Sequence, residues 1–143
     1  MILTTEIRNK AKYLVSLYPN LPYLIYTRRM ELLSSNNDHP DENIGGGSGG
    51  RVGQPTEQKA ILLITDPHLR ELERTGEVLE GLMGVYSLER QRLIESLYMR
   101  QETKGKVAKD LGISVRTLER WNKEFLTDFA ERMGLFEERG EWE

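Results

Sequence analysis

The sequence predicts an all-α protein in which a C-terminal helix-turn-helix follows earlier helical segments and a Gly-rich linker. Apolar residues recur at helical spacing over residues 3–33 and again over residues 55–136. Between them, residues 34–54 carry almost no large apolar side chain and contain GGGSGG. Residues 104–123, KGKVAKDLGISVRTLERWNK, have the pattern of two short helices joined by a glycine turn. The predicted segments are an N-terminal helical hairpin (1–33), a flexible linker (34–54), middle helices (55–86), a helix-turn-helix domain (87–136) and an acidic tail (137–143).

The N-terminal hairpin is predicted from two apolar stripes separated by prolines. The first helix carries Ile7, Ala11, Leu14 and Leu17 on one face and is expected to end near residue 18. Pro19 and Pro22 then bracket a turn, because proline lacks an N–H donor and disfavours helix in the preceding residue. The second helix is expected to expose two arginines, Arg28 and Arg29, and to bury part of an apolar set comprising Leu24, Ile25, Met30, Leu32 and Leu33.

The linker is predicted to be flexible because its composition offers too little apolar surface to offset the entropy of ordering. Chains of this kind and length have a typical end-to-end distance of roughly 25 Å. The glycines do not form a phosphate-binding P-loop, because the Lys-Ser/Thr ending of that motif is missing.

In the middle segment, Pro55 is placed in the first turn of a helix, and Asp66-Pro67 introduces either a kink or a new helix start. The apolar stripe that follows contains Leu69, Leu72, Leu79 and Leu82. Such a stripe fits a seam between two chains of a homodimer as well as it fits burial against the protein's own N-terminal hairpin.

The first helix of the two-helix unit is predicted from Val107, Ala108 and Leu111, which share one face. Gly112 then ends that helix, because a residue tolerant of positive φ is needed there. Ala108 is small where the two helices cross, as a tight crossing requires. The unit therefore has a short first helix and an abrupt turn.

The second helix begins after the turn residue Ile113, which we expect to be buried, and Ser114 is a good N-cap. Leu118 and Trp121 fall on its inward face. The apolar pattern continues beyond the motif at fourfold spacing through Phe125, Phe129 and Met133, so the helix extends about 28 Å at 1.5 Å per residue. Its distal half has surface to pack on other helices or on a second subunit.

The remaining outward positions of this unit predict contact with double-stranded DNA. Arginine suits guanine in the major groove, and lysines at the first helix suit the phosphate backbone. The base-reading candidates are Ser114, Val115, Arg116, Thr117, Glu119, Arg120 and Lys123, and the backbone-contacting candidates are Lys104, Lys106 and Lys109. The competing interpretation is a packed helix pair with a glycine turn and no nucleic-acid role.

Charge is distributed unevenly along the chain, whose formal net charge is −3. Residues 86–132 hold ten Lys and Arg against eight Asp and Glu, whereas the remainder holds ten against fifteen. The small positive surplus favours a protein that reads shape and base edges, with help from a second subunit, over a purely electrostatic DNA binder.

Ser87 is placed as the cap of a preceding helix whose apolar residues Leu88, Leu93, Ile94, Leu97 and Tyr98 are expected to cover the back of the unit. That arrangement, over residues 88–125, resembles region 4 of bacterial sigma factors. The C-terminal half is also similar to ArpU-type phage regulators.

Over nearly its full length the chain resembles the RinA family of phage transcriptional activators. The resemblance rests on the Tyr-Pro-Asn at residues 18–20, the Asn-Ile-Gly-Gly-Gly at 43–47, the middle helices and the sigma-like C-terminal module. It implies activation of phage or prophage late genes through promoter DNA, in the cytoplasm of a bacterial host, with host RNA polymerase as a further partner.

Other classes of protein receive little support. There is no cysteine, no run of 18 apolar residues and no signal-peptide pattern, so we expect no disulfide, thiolate metal site, secretion or membrane partner. His39 and His68 stand apart without metal-ligand spacing, so we expect no metal, no cofactor and no enzymatic activity. Two alternatives to an activator remain: a small terminase-like DNA-packaging subunit and an adaptor that binds RNA polymerase.

Overall fold

The computed structural model describes residues 2–35 and 54–137, and every regular element in those two ranges is helical. The predicted all-α class is therefore confirmed. The GGGSGG and Asn-Ile-Gly-Gly-Gly sequences of the predicted linker, and residues 138–143 of the predicted tail, lie outside the described residues. The helices are α1 (Thr5–Ser16), α2 (Leu21–Ser35), α3 (Gln54–Thr65), α4 (Pro67–Val85), α5 (Leu88–Ile94), α6 (Lys104–Leu111) and α7 (Val115–Met133), with a 3₁₀ turn at Tyr18–Asn20 and a π turn at Glu95–Met99.

The chain divides into two compact units. Unit 1 comprises Met1–Pro19 and Arg74–Glu143, and unit 2 comprises Asn20–Glu73. The two helices assigned to one N-terminal hairpin therefore belong to different units, with α1 in unit 1 and α2 in unit 2. The predicted middle segment is likewise divided, because α4 contributes residues to both.

Unit 1 is held together by the packing of α1 against α7. Thr4 caps α1, where its side-chain oxygen accepts a hydrogen bond from the Ile7 N–H at 3.2 Å. The apolar face of α1 enters the same hydrophobic cluster as Phe125 and Phe129 of α7. The distal half of α7 thus supplies the surface that buries α1, which is the physical reason that α1 belongs to the C-terminal unit.

The apolar stripe of α4 is buried within the chain. Leu69 and Leu72 are buried in unit 2, and Leu79 and Leu82 are buried in the core of unit 1. All four leucines are therefore covered by residues of their own chain. A two-chain seam along these leucines would require the cores to open.

Only some of the apolar residues of α5 that were expected to be buried are buried in unit 1. Its N-cap is Ser87, whose side chain accepts the Arg90 N–H at 3.3 Å, and Leu93 and Ile94 are both buried. Leu88, which was expected to join them, is 67% exposed. The reason is helical geometry, since residues five positions apart lie about 140° apart around an α-helix.

In unit 2 the Asp66-Pro67 pair begins a new helix. One carboxylate oxygen of Asp66 accepts the Leu69 N–H at 2.8 Å, which caps α4. The same carboxylate receives two hydrogen bonds from Arg28, Nη2 to Oδ1 at 2.8 Å and Nε to Oδ2 at 3.0 Å. Arg28, expected to be exposed, is drawn into this bidentate pair and is half-buried, whereas Arg29 is exposed and pairs with Glu73 at 2.7 Å.

The Asp66 carboxylate is expected to make the stability of the protein fall in acid. Hydrogen bonds from Arg28 first, and from the Leu69 N–H second, lower the pKa of Asp66 from 3.8 to about 2. A lowered folded-state pKa stabilises the fold above the unfolded value, and that contribution is lost as the pH falls toward the folded value. The difference in melting temperature between the wild type and Asp66→Asn should be constant above about pH 5. This difference should shrink toward zero as the pH falls from about 4 to 2. A difference that is unchanged down to pH 2 would contradict this role for Asp66.

Candidate nucleic-acid interface

Helices α6 and α7 form a short, closely joined pair, called here the α6–α7 pair. Thr103 caps α6 through a hydrogen bond from the Lys106 N–H at 3.3 Å. The helix ends at Gly112, whose φ is +71°, and the Ile113 N–H donates back to the Ala108 carbonyl at 3.0 Å. With the Gly112 N–H donating to the carbonyl of residue 109 at 3.1 Å, these bonds form a Schellman motif that ends the helix sharply. The glycine turn was predicted from the sequence; the Thr103 cap was missed, although a threonine directly before a helical pattern is its usual signal.

Gly112→Ala is expected to destabilise unit 1 by about 1–2 kcal/mol, because an L-residue is strained in the left-handed region. No atom lies within 4 Å of an added Cβ at this position, so the cost comes from the backbone alone. Gly105 provides the matched control, since its Cβ would also meet open space but its backbone is helical. Gly105→Ala should be neutral or stabilising by up to about 1 kcal/mol in the same thermal or urea unfolding experiment. Equal effects of the two substitutions would rule out the strained turn.

The second helix of the pair starts at a well-formed cap. The Ser114 hydroxyl oxygen accepts the Thr117 N–H at 3.0 Å, and the two hydroxyl groups lie 3.0 Å apart. Both residues were base-reading candidates, and the structure uses their hydroxyl groups to fix the start of α7. Val115, the first residue of α7, is 44% exposed and presents an apolar surface next to this cap.

The inner side of α7 differs from the predicted face at one position. Leu118 is fully buried, as expected, but the next inward position is taken by Asn122, which accepts a hydrogen bond from the Tyr98 hydroxyl. Trp121 is half-buried, and the Arg90 guanidinium lies 5.0 Å from the centre of its ring. Leu118 and Asn122 are four residues apart and share a face, which places Trp121 at the edge of the core.

Two tyrosine hydroxyls anchor the back of α7. The Tyr86 hydroxyl donates to Asp128 at 2.6 Å, and burial, followed by this hydrogen bond, raises the pKa of Tyr86 above its ordinary range. Burial raises the pKa of Tyr98 to about 12. The two hydroxyl groups therefore tie α7 to earlier parts of the chain through Asp128 and Asn122. Sequence reasoning missed these anchors because their partners are distant along the chain.

The outer side of α7 carries three exposed cations. Arg116, Arg120 and Lys123 are spaced at i, i+4 and i+7, so they line one side of the helix. Within residues 2–35 and 54–137, none of the three forms an ion pair with a carboxylate. Their hydrogen-bond donors are consequently available to a ligand.

The carboxylates beside this cationic side are compensated by basic neighbours. Glu124 forms an ion pair with Arg90 at 2.9 Å, and Glu119 lies 3.6 Å from the Lys104 ammonium. Glu119 and Lys104 are both about half exposed, so water screens their attraction and either can exchange its partner for a ligand. Sequence reasoning had no means of finding Arg90, which lies outside the two-helix motif.

The three lysines predicted to contact phosphates are all exposed, but their surroundings differ. Lys106 pairs with Asp110 at 3.0 Å and with Glu102 at 3.6 Å, and the hydrogen bond to Asp110 is the main reason that the pKa of Lys106 is raised. Lys109 forms no ion pair within the described part of the chain. Lys109 is therefore the member of the set whose charge is least compensated.

Other kinds of site find no support in the described residues. Among them, no group of three or more His, Cys, Asp and Glu side chains is placed to hold a metal ion. His68 is exposed near the start of α4, and His39 lies outside the described ranges. Over the same residues, the helices are too short or too polar for any to cross a membrane.

Comparison with known proteins yields one family. A family model described as "Protein of unknown function (DUF722)" matches residues 11–131, a range that includes the whole α6–α7 pair. Neither the curated proteins nor the solved structures contain a match to this chain.

Proposed function

The chain belongs to the DUF722 family of proteins of unknown function, and we propose that it is a sequence-specific DNA-binding protein that regulates transcription. In this proposal the α6–α7 pair is a helix-turn-helix, and α7 is its recognition helix. The observation that carries it is the row of exposed cations on the outer side of α7, which form no ion pair with any described residue, on a helix whose start and inner side are fixed. A helix presented in this way fits the major groove of B-DNA.

The individual contacts follow from side-chain chemistry. Arg116 and Arg120 lie in the first two turns of α7, where a recognition helix reaches base edges, and each guanidinium can donate two hydrogen bonds to guanine O6 and N7. Lys123, one turn further, suits a phosphate or a second guanine. Lys109 suits a phosphate next to the groove, which sets the register of the protein without reading sequence.

Glu119 and Val115 extend the candidate reading surface beyond arginine. A carboxylate accepts a hydrogen bond from cytosine N4, and an apolar side chain contacts the methyl group of thymine. In the free protein Glu119 faces Lys104, so DNA binding would move Lys104 toward a phosphate and leave Glu119 for a base. The proposed surface therefore distinguishes three of the four bases.

The biological role that we propose rests on the resemblance to RinA-type activators. It is activation of phage or prophage late genes, those for packaging and structural proteins, from promoter DNA in the bacterial cytoplasm. Host RNA polymerase is the proposed second partner. The protein is proposed to act without a cofactor and without catalysis.

The test is selection of bound fragments from the genome that encodes the protein, at about 0.15 M salt, where non-specific electrostatic binding is reduced. Enrichment of one region upstream of packaging or structural genes is expected for the wild type. Enrichment of a packaging start site, together with ring-sized particles in light scattering, would instead favour a small terminase subunit. Absence of any enriched fragment would contradict sequence-specific DNA binding and favour the polymerase-adaptor alternative.

A further inference from the structure

A buried hydrogen bond joins the middle of α7 to the segment that leads into α6. Asn122 lies on the inner side of α7 and is 7% exposed, and the Tyr98 hydroxyl donates to its side-chain oxygen. Among the described residues, Asn122 and Thr75 are the two buried polar side chains. This hydrogen bond, called here the Tyr98–Asn122 pair, connects residues 24 positions apart in the chain.

The position of Asn122 would suit a leucine. Its neighbours on the inner side of α7, Leu118, Phe125 and Leu126, are all 2% exposed or less, and the Tyr98 ring lies 5.7 Å from the Phe125 ring. A buried amide stabilises a core less than an apolar side chain of similar volume, because its loss of hydration offsets much of its hydrogen bond. Stability alone therefore does not account for an asparagine at this position.

The Tyr98–Asn122 pair constrains the rotation of α7. A helix face that is entirely apolar can shift against its neighbours and stay buried, whereas a polar pair resists the shift because both groups would lose their partner. A rotation of about 20° would move a side-chain tip by about 2 Å, at the radius of about 6 Å that a helix with side chains has. That displacement exceeds the roughly 0.5 Å range of hydrogen-bond distances, so contacts between arginine and guanine depend on this rotation.

The segment that carries Tyr98 is held in an unusual conformation. Tyr98 lies in the π turn Glu95–Met99, a type of turn that is frequent at functional sites. Gln101 follows with a φ of +55°, and it is the one non-glycine residue with positive φ in the described ranges. A residue strained in this way persists where the surrounding contacts fix it. Because α6 begins at Lys104, this segment also determines where the lysines of α6 lie.

We propose that Tyr98 is a positioning residue for base reading, and that the Tyr98–Asn122 pair sets the rotation of α7 relative to α6. Asn122 lies between the exposed cations Arg120 and Lys123, so the pair fixes α7 at the level of the proposed base contacts. Tyr98 acts through Asn122 and does not itself need to touch DNA. The inference rests on the proposed function, because it concerns how the α6–α7 pair reads bases.

The second tyrosine that is bonded to α7 provides a matched control. The Tyr86 hydroxyl donates to Asp128 at 2.6 Å, in the distal half of α7 and beyond Lys123. Both tyrosine rings lie near Phe125, with centroid distances of 6.2 Å for Tyr86 and 5.7 Å for Tyr98. Tyr98→Phe and Tyr86→Phe therefore each remove one hydroxyl group from the same core, at different levels of α7.

The test compares the affinity for a duplex of the fragment enriched in the genomic selection with the affinity for a scrambled duplex, by fluorescence anisotropy of the full chain. Tyr98→Phe should lower the ratio of the two affinities at least about fivefold, the low end of the effect of one lost base contact. Its affinity for the scrambled duplex should be unchanged, because the exposed cations are the same. Tyr86→Phe should keep the wild-type ratio.

A double variant separates positioning from stability. Tyr98→Phe with Asn122→Leu replaces both polar partners by apolar groups, which is close to neutral for stability, so its urea midpoint should match that of the wild type. Its affinity ratio should nevertheless fall as it does in Tyr98→Phe. A folded double variant with the wild-type ratio would overturn the proposal. A Tyr98→Phe variant that weakens binding to both duplexes equally would also overturn it.

Failure of this inference and failure of the proposed function give different results. If the selection enriches no fragment, or if the wild type binds both duplexes equally, the proposed function is contradicted and this inference falls with it. If the wild type prefers the enriched fragment and Tyr98→Phe keeps the same preference, only this inference is overturned. An equal loss of preference in Tyr86→Phe would overturn it as well, since the level of the contact along α7 would then not matter.

Discussion

Replacing Arg116 and Arg120 together by alanine is expected to reduce affinity for the selected operator about 30- to 20,000-fold. Each arginine that pairs with guanine contributes about 1–3 kcal/mol, and about 1.4 kcal/mol corresponds to tenfold in affinity. Both side chains are exposed and lack an ion pair with any described residue, so their removal should leave the fold intact. Fluorescence anisotropy with operator and scrambled duplexes would measure the loss, which should be larger for the operator.

The matched control removes two exposed arginines outside the first two turns of α7, Arg70 on α4 and Arg132 in the last turn of α7, and so changes the net charge equally. Arg70→Ala with Arg132→Ala should change operator affinity by less than about tenfold, because only the long-range field is altered. If the control pair weakened binding as much as Arg116→Ala with Arg120→Ala, the first two turns of α7 would not be the base-reading surface.

A Lys109 variant distinguishes contacts to phosphates from contacts to bases in the same titration. Lys109→Ala should weaken binding to all duplexes similarly and reduce the salt slope by about one, as expected when one phosphate contact is lost. Lys106→Ala should have a smaller effect, because Lys106 is already paired with Asp110 and Glu102 in the free protein.

Leu93→Ala is expected to lower the free energy of unfolding by about 2–5 kcal/mol, the cost of removing a buried leucine side chain and leaving a cavity. Leu93 is 1% exposed in the core that supports α7. Urea unfolding, monitored by circular dichroism, would measure the change. DNA affinity should fall with the folded fraction, because the recognition side chains themselves are untouched.

Leu88→Ala is the control for this prediction, because it makes the same leucine-to-alanine change in the same helix. Leu88 is 67% exposed, so its removal should change the unfolding free energy by no more than about 0.5 kcal/mol. Similar losses for both variants would show that α5 packs through a face other than the one described.

Sequence reasoning was most successful where a structural feature depends on neighbouring residues. Gly112, Ser114 and Ser87 were all assigned as helix boundaries, and each acts through hydrogen bonds to residues three to five positions away. The exposure of the recognition candidates on α7 also follows from local helical spacing. Residues in such features are recognisable because the interacting groups and their spacing both appear in one short stretch.

The features that sequence reasoning missed depend on residues far apart in the chain. Arg28 was expected to be exposed because its partner, Asp66, lies 38 positions away. The stacking of Arg90 on Trp121 and the anchoring of Asn122 by Tyr98 likewise join separate helices. Periodicity shows that a side chain prefers burial, but it does not show which element covers it.

The sequence by itself determined the all-α class, the glycine turn, the Ser87 and Ser114 caps and the row of basic residues on α7, because these arise from local backbone preferences and hydrogen bonds. Only the tertiary structure decided that α1 and α2 belong to different units and that the leucines of α4 are buried within one chain. It also decided which face of α2 remains exposed. The physical reason is that several amphipathic helices can bury their apolar faces in more than one combination, and the choice depends on the packing of all of them together.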